Sequence, residues 1–202
     1  MRLDLPLDDL FATGSHVRVL RAVARMPEGL GASARELAGR AGVAHPTASR
    51  VLARLLDQGV VLADRVPRAD LFRLNRDHVL VDGIRSLFQR EETLRAELVT
   101  FLRDQILERV GFVTTVLIFG SATRGDMSTT SDIDLAVACP PERVDDVEAA
   151  MEPVELAIRH RFGNRLAVVV GAEPASDLAK PGRKGARLWK QIRLQGIPVI
   201  GS

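Results

Sequence analysis

The sequence predicts an α+β chain of two domains: a small helical N-terminal domain closed by a β-hairpin, a helical connector, and a C-terminal mixed sheet with flanking helices. Three patterns lead there. Short helices with apolar faces and sharp Gly and Pro punctuation occupy residues 14–59. One amphipathic pattern runs on to Gly111 with no Pro or Gly after Gly83. From residue 112, β-branched apolar runs alternate with helical stretches. The expected boundaries are 1–78, 79–111 and 112–202.

Composition sets outer limits on these domains. The 202 residues are 46% hydrophobic and 27% charged, a globular balance that can fill one large core or two small ones. Cys139 is the single cysteine, which excludes an intramolecular disulfide framework and a multi-cysteine zinc site. No apolar stretch approaches the ~20 residues of a membrane helix. The opening MRLDLPLDDL carries Asp4, Asp8 and Asp9 where a secretory signal has an apolar run. A soluble, cytoplasmic protein with no membrane partner is expected. The net charge is only +2, but residues 1–80 hold 12 basic and 9 acidic side chains while residues 81–202 hold 16 and 17.

In the first domain, Gly14-Ser15 opens a helix with Val17, Leu20, Val23 and Ala24 inward, ended by Pro27. Ser33-Ala34-Arg35-Glu36 reads as a reciprocal capping box for a second helix, stopped by Gly42. After a tight turn, Pro46 suits the first turn of a third helix, with Ala48, Val51, Leu52 and Leu55 on one face and Gly59 at its end. Two strands, 60–63 and 71–74, flank a polar loop at 64–70. This helix, helix, tight turn, helix and hairpin resembles the winged helix-turn-helix of transcription regulators over residues 14–76, including the cadence "RELA…GV…TASRVLARLLDQGVV". That resemblance implies DNA as a partner. Thr47, Arg50 and Arg54, opposite the apolar face, would enter the major groove or touch phosphates, and Arg65 and Arg68 would act from the hairpin. His45 is placed either to cap the helix or to reach DNA.

Residues 79–110 place Leu80, Ile84, Leu87, Phe88, Leu94 and Leu98 at three- and four-residue steps, continued by Phe101, Leu102 and Ile106. This predicts a connecting helix, whole or broken once, that packs on one or both domains or on a second subunit, and a homodimer is expected. The second domain then reads as strand 113–119, strand 133–138, helix 142–161, strand 166–170, basic helix 183–195 and strand 197–200.

The chemistry is concentrated between the first two of those strands. Gly120-Ser121 leaves a small, open backbone that can approach a phosphate, and Arg124 can place a planar cation on phosphate oxygens. Asp132 and Asp134, two residues apart on a strand, point to the same side. Two converging carboxylates repel unless a cation lies between them, and hard oxygen donors favour Mg²⁺ completed by substrate phosphates. Asp126 and Ser131 read as loop-shaping residues and Trp189 as a packing anchor, while His16, His78 and His160 form no metal spacing.

Gly120-Ser121, ten intervening residues and Asp132-Ile133-Asp134-Leu135 resemble the signature of the nucleotidyltransferase superfamily that includes DNA polymerase beta and kanamycin nucleotidyltransferase. The resemblance covers residues 112–171 and implies triphosphate contacts at Gly120 and Ser121, with catalytic, metal-holding roles for Asp132 and Asp134. It further implies Mg²⁺ as cofactor and a nucleoside triphosphate, ATP foremost, as substrate or ligand. The family's third carboxylate is missing from the strand Arg165–Val170, while Glu155 and Glu173 flank it. The expected function is transfer of a nucleoside monophosphate to an unknown acceptor, protein or RNA. The alternative is a DNA-binding transcription regulator whose nucleotidyltransferase domain is a nucleotide sensor or catalytically degenerate scaffold, including one within a toxin–antitoxin system. The basic cluster Lys180, Arg183, Lys184, Arg187, Lys190 and Arg193 is either a solvated helix face or a surface for a triphosphate or an acidic partner.

Overall fold

In the computed structural model, which describes residues 11–67, 69–124, 127–128, 131–172 and 186–201, the first helix is opened by Thr13. The Thr13 Oγ1 accepts the His16 amide at 3.3 Å, and helix α1 spans Gly14–Ala24. Strand β1 (Ala32–Ser33) leads directly into α2 (Ala34–Ala41). Only half of the reciprocal cap forms: the Glu36 amide donates to Ser33 Oγ at 3.3 Å, but the Glu36 carboxylate takes Arg40 Nη2 at 2.7 Å. Gly42, at φ +61°, turns the chain out of α2 in the left-handed region. Helix α3 (His45–Asp57) has Pro46 in its first turn, where a missing amide costs nothing. Its N-cap is Ala44, which makes no side-chain cap, and His45 is already the first helical residue. Capping by His45 is thereby excluded.

The hairpin differs from expectation. Strands β2 (Val61–Val66) and β3 (Ala69–Leu74) pair antiparallel through Asp64↔Leu71, Arg65↔Asp70 and Val66↔Ala69, so most of the predicted loop is strand. Asp64, Arg65, Val66, Ala69 and Asp70 are all exposed, so this ribbon buries no face that would show as apolar alternation. Arg73 Nε donates diagonally to Asp64 Oδ2 at 2.9 Å. β1 adds to β3 through Ala32↔Phe72, giving a three-stranded sheet of order β1-β3-β2. Two residues are too few for periodicity to reveal β1 in the sequence.

Helix α4 is continuous over Val81–Arg109. The chain divides into two compact units, Met1–Thr93 and Leu94–Ser202, and the division falls within this helix. In the first unit Val81, Ile84 and Phe88 join Leu20, Leu37, Leu52 and Leu55 in one core. Arg21 forks onto Glu91 at 2.6 and 2.8 Å and stacks 5.2 Å from the Phe88 ring centroid. Arg25 pairs with Glu92 at 2.8 Å.

The second unit is a four-stranded sheet of order β6-β5-β4-β7, made of β4 (Thr115–Phe119), β5 (Ile133–Cys139), β6 (Leu166–Ala172) and β7 (Ile197–Ile200). β4 pairs antiparallel with β5 and β7, while β5 and β6 are parallel, as a helical crossover between them requires. That crossover is a 3₁₀ turn at Pro141–Arg143 followed by α6 (Val144–Phe162); a one-turn helix α5 (Ser121–Arg124) precedes β5. Alternation along β5 sends Ile133, Leu135, Val137 and Cys139 into a core with Leu102 and Ile106 of α4 and the α6 side chains Val147, Met151 and Ile158. Ala136 and Ala138 point to the other face, which α7 (Ala186–Gln195) covers with Trp189 and Ile192. A Cβ at Gly171 would run into the Trp189 ring, whose Cε2 lies 2.9 Å away. The first residues of the expected basic helix, 183–185, lie outside the described residues. Among the described residues no helix is long and apolar enough to cross a membrane.

Leu52 and the single tryptophan, Trp189, belong to different cores, and this separates them experimentally. Leu52→Ala is expected to destabilise the first unit by about 2–5 kcal/mol in urea followed by far-UV circular dichroism. The midpoint followed by Trp189 emission is expected to stay in place; a matching shift at Trp189 would contradict separate cores.

Candidate functional site

The β4–β5 register places Phe119 opposite Asp134, so the next residue, Gly120, turns directly beside that carboxylate. Gly120 has φ +74°, and a Cβ built there would coincide with the Asp134 carboxylate, whose Cγ is 2.9 Å away. Backbone conformation and space therefore each require glycine. Ser121, half-buried, starts α5. The Thr123 amide and hydroxyl both donate to the Gly120 carbonyl, at 3.2 and 2.9 Å, and Arg95 Nη2 donates to the Ala122 carbonyl at 2.9 Å. These bonds fix the Gly-Ser turn from beneath.

Asp132 lies just before β5 and is exposed, while Asp134 is half-buried within it. Ile133 between them is buried on the α4–α6 face, so strand alternation sends both carboxylates to the opposite side. Burial pushes the Asp134 carboxyl above the ordinary carboxylate range; the Asp132 charge adds to this, and the Arg124 cation opposes it. Arg124 itself is exposed at the end of α5.

The approach to Asp132 is set by contacts among short side chains. The Ser128 amide donates to Ser131 Oγ at 2.9 Å, the two hydroxyls are 3.0 Å apart, and the Ser131 amide returns to the Ser128 carbonyl at 3.2 Å. Asn164 Nδ2 donates to the Ser131 carbonyl at 3.1 Å, and the Ile133 amide donates to the Arg165 carbonyl at 2.9 Å. Arg95 and Asn164 are the supporting residues that sequence reading missed. Asn164 carried a faint signal, directly following the left-handed helix stop Gly163 at φ +79°. Arg95 carried none, being one arginine among many on a long helix.

The parallel β5–β6 register pairs Asp134 with Ala167, so Ala167, Val169 and Gly171 share its face of the sheet. Among the described residues there is no grouping of three or more His, Cys, Asp or Glu side chains suited to a metal. Glu155 sits on α6, and Glu173 and Asp126 lie outside the described residues. Of the basic C-terminal cluster, Lys190 and Arg193 are exposed on α7; the other side chains lie outside the described residues.

In the first unit, Arg50 and Arg54 are exposed on α3 and Thr47 is half-buried, on the side away from Leu52 and Leu55. Arg50 Nε reaches the Pro46 carbonyl at 3.4 Å. Arg65 is exposed on β2, and Arg68 lies outside the described residues. Beside this face runs a groove of about 730 Å³ between α3 and β3, where Arg35, His45, Ser49, Asp70 and Phe72 meet. His16 is buried beneath α3, its Nδ1 2.9 Å from Thr13 Oγ1; burial and the Arg54 charge hold its imidazole below the usual histidine range.

Residues 13–69 match the MarR family, and residues 104–174 match polymerase beta, nucleotidyltransferase. The chain thus joins a MarR-like winged-helix domain to a nucleotidyltransferase-like domain with a mixed sheet. Among solved structures it is similar to a predicted DNA-binding transcriptional regulator from E. coli, with 21% identity, 42% of this chain and 83% of that one covered, and a TM-score of 0.35. It is also similar to a toxin-antitoxin solved with AMP-PNP, with 16% identity, 52% of this chain and 73% of that one covered, and a TM-score of 0.38. Both are partial likenesses. No curated protein matches the chain.

The Asp134 environment has a measurable consequence for stability. A carboxyl whose native pKa is raised holds its proton more tightly when folded, so its ionisation costs stability as pH rises through the native value. Asp134→Asn is therefore expected to melt above the wild type at pH 7 in EDTA. The difference should close on acidification towards about pH 4, where the carboxyls become protonated. A variant that melts at or below the wild type at pH 7 would remove the account of a carboxylate destabilised by burial and by the neighbouring Asp132 charge.

Proposed function

We propose that the C-terminal domain binds Mg²⁺ and a nucleoside triphosphate, ATP foremost, and transfers the nucleoside monophosphate to a protein or RNA acceptor, while the N-terminal domain binds DNA. The observation behind this is the seat of Asp134, a carboxylate held against a residue with no side chain and beside a second carboxylate two positions away. The donor set suits a divalent cation, because two hard oxygens carrying mutual repulsion are relieved by one. Asp132 and Asp134 would hold Mg²⁺, which when bound neutralises charge on the phosphates. Gly120 lets a phosphate oxygen approach the backbone, Ser121 offers a hydroxyl donor, and Arg124 a planar cation. Attack of an acceptor oxygen on the α-phosphorus forms the new P–O bond, breaks the α–β phosphoanhydride and releases pyrophosphate.

A second reading is favoured by the aliphatic strand beside Asp134. With Ala167 and Val169 where a further acid would share the site, the same residues support nucleotide binding without efficient turnover. The protein would then be a regulator that senses nucleotide and reports it through DNA. Thr47, Arg50 and Arg54 would face the major groove, with Arg65 and Arg68 at the phosphates beside the hairpin. A homodimer would present two such surfaces to paired half-sites.

Incubation with α-³²P-labelled triphosphates and with protein and RNA acceptor fractions tests transfer. Label is expected to become acceptor-linked in Mg²⁺ and to be lost in Asp132→Asn plus Asp134→Asn; label transfer that survives both substitutions would falsify the assignment. For DNA, the intact protein is expected to retard its own upstream fragment. Arg50→Ala and Arg54→Ala should each weaken that binding by roughly 1–3 kcal/mol if the side chain reads a base, or lower the salt slope by about one if it meets a phosphate. Unchanged affinity and salt slope in both variants would count against the α3 surface.

A further inference from the structure

On the side of the sheet opposite Asp134, the second unit contains a cavity of about 360 Å³ that neither nucleotide nor metal chemistry uses. Its walls are apolar: Leu98 from α4, Ile118 from β4, Ile133 from β5, Phe162 from α6 and Ile197 from β7. Leu94 on the same wall is 49% exposed. Leaving such a surface in water costs about 25 cal/mol per Å², so the cavity favours an apolar occupant. The charged side chains on the wall are Arg95 and Arg161, and none of its lining residues is a carboxylate. The Arg161 guanidinium is held in place by stacking, 4.9 Å from the Phe101 ring centroid and 5.8 Å from that of Phe162. Apolar walls carrying two guanidinium groups, with no carboxylate among the described lining residues, suit an amphipathic anion.

We infer that this cavity binds a small organic anion, an aromatic or branched aliphatic body carrying one carboxylate or sulfonate. The cavity also touches the nucleotide-facing turn from behind. Arg95 on its wall donates to the Ala122 carbonyl in α5, and Ile133 on its wall lies between Asp132 and Asp134. An occupant that packs on Ile133 and competes for Arg95 therefore alters the seat of both carboxylates. This linkage rests on the nucleotide reading given above; binding in the cavity does not.

The test uses the full chain free of metal and nucleotide, titrated with 1-anilinonaphthalene-8-sulfonate and with its uncharged counterpart N-phenyl-1-naphthylamine. The sulfonate is expected to saturate one site with blue-shifted emission. Arg161→Gln should weaken it roughly tenfold, the scale of one charge-assisted hydrogen bond, while the uncharged dye is unaffected. Leu94→Glu, at an exposed position that folding tolerates, should act in the same sense, and Leu98→Trp should exclude both dyes by filling the space. Binding that does not saturate, or a sulfonate affinity unchanged in Arg161→Gln and Leu94→Glu, overturns the site. In a second arm, Mg²⁺–ATP affinity is expected to shift about fivefold or more when the sulfonate is saturating. An unchanged Mg²⁺–ATP affinity overturns the linkage. Absence of Mg²⁺–ATP binding under all conditions overturns the nucleotide reading instead, with occupancy of the cavity decided by the dyes alone.

Discussion

Asp134 can lie where it does because Gly120 has no side chain, and Gly120 can turn where it does because the β4–β5 register sets Phe119 opposite Asp134. Much of the second unit follows from that register. With Asp134 on one face of β5, Ile133, Leu135 and Val137 fall on the other, where α4 and α6 close over them. A one-residue slip would bury the two carboxylates in that core and expose its isoleucine and leucine, so the hydrophobic pattern and the polar site enforce the same pairing. Small residues on the carboxylate face, Ala136 and Ala138, then leave room for Trp189 of α7. The arrangement carries a cost, since partial burial and a like charge both act against ionised Asp134. Destabilised polar groups of this kind are tolerated in proteins where a ligand relieves them.

The first unit is assembled on other terms. Its helices are delimited by local chemistry: the Thr13 and Ser33 caps, the left-handed Gly42 and the proline in the first turn of α3. Its core is extended by the start of α4, fastened by the Arg21–Glu91 fork and by stacking of Arg21 on Phe88. Exposed ion pairs contribute at most about 1 kcal/mol each, so burial of Ile84 and Phe88 is the larger part of that attachment. The polar hairpin has no core to define it and depends on backbone pairing, with Arg73–Asp64 across one diagonal.

What the sequence made legible, and what it hid, follows from these differences. Helices with apolar stripes and punctuated ends were readable nearly to the residue, as were β5 and β7, because burial leaves a periodic trace. The outer half of the hairpin is not legible in the sequence because Asp64, Arg65 and Val66 are all exposed and give no alternation. Of the two roles open to His45, capping fails because His45 is itself the first helical residue and Ala44 holds the N-cap. At the candidate site, the Gly-Ser and Asp-x-Asp spacing makes the turn and the carboxylates legible, since only glycine fits at φ +74° against Asp134. Arg95 and Asn164 stayed hidden because they act by donating to backbone carbonyls, which any sequence supplies.

The central claim is that the carboxylates beside Gly120 form a seat for a divalent cation and a triphosphate. Isothermal titration of ATP into the full chain, with Mg²⁺ and then with excess EDTA, addresses it most directly. The account predicts one site in Mg²⁺, no measurable heat in EDTA, and no site in a chain carrying Asp132→Asn and Asp134→Asn. Equal binding in EDTA, or undiminished binding by the doubly substituted chain, would contradict it.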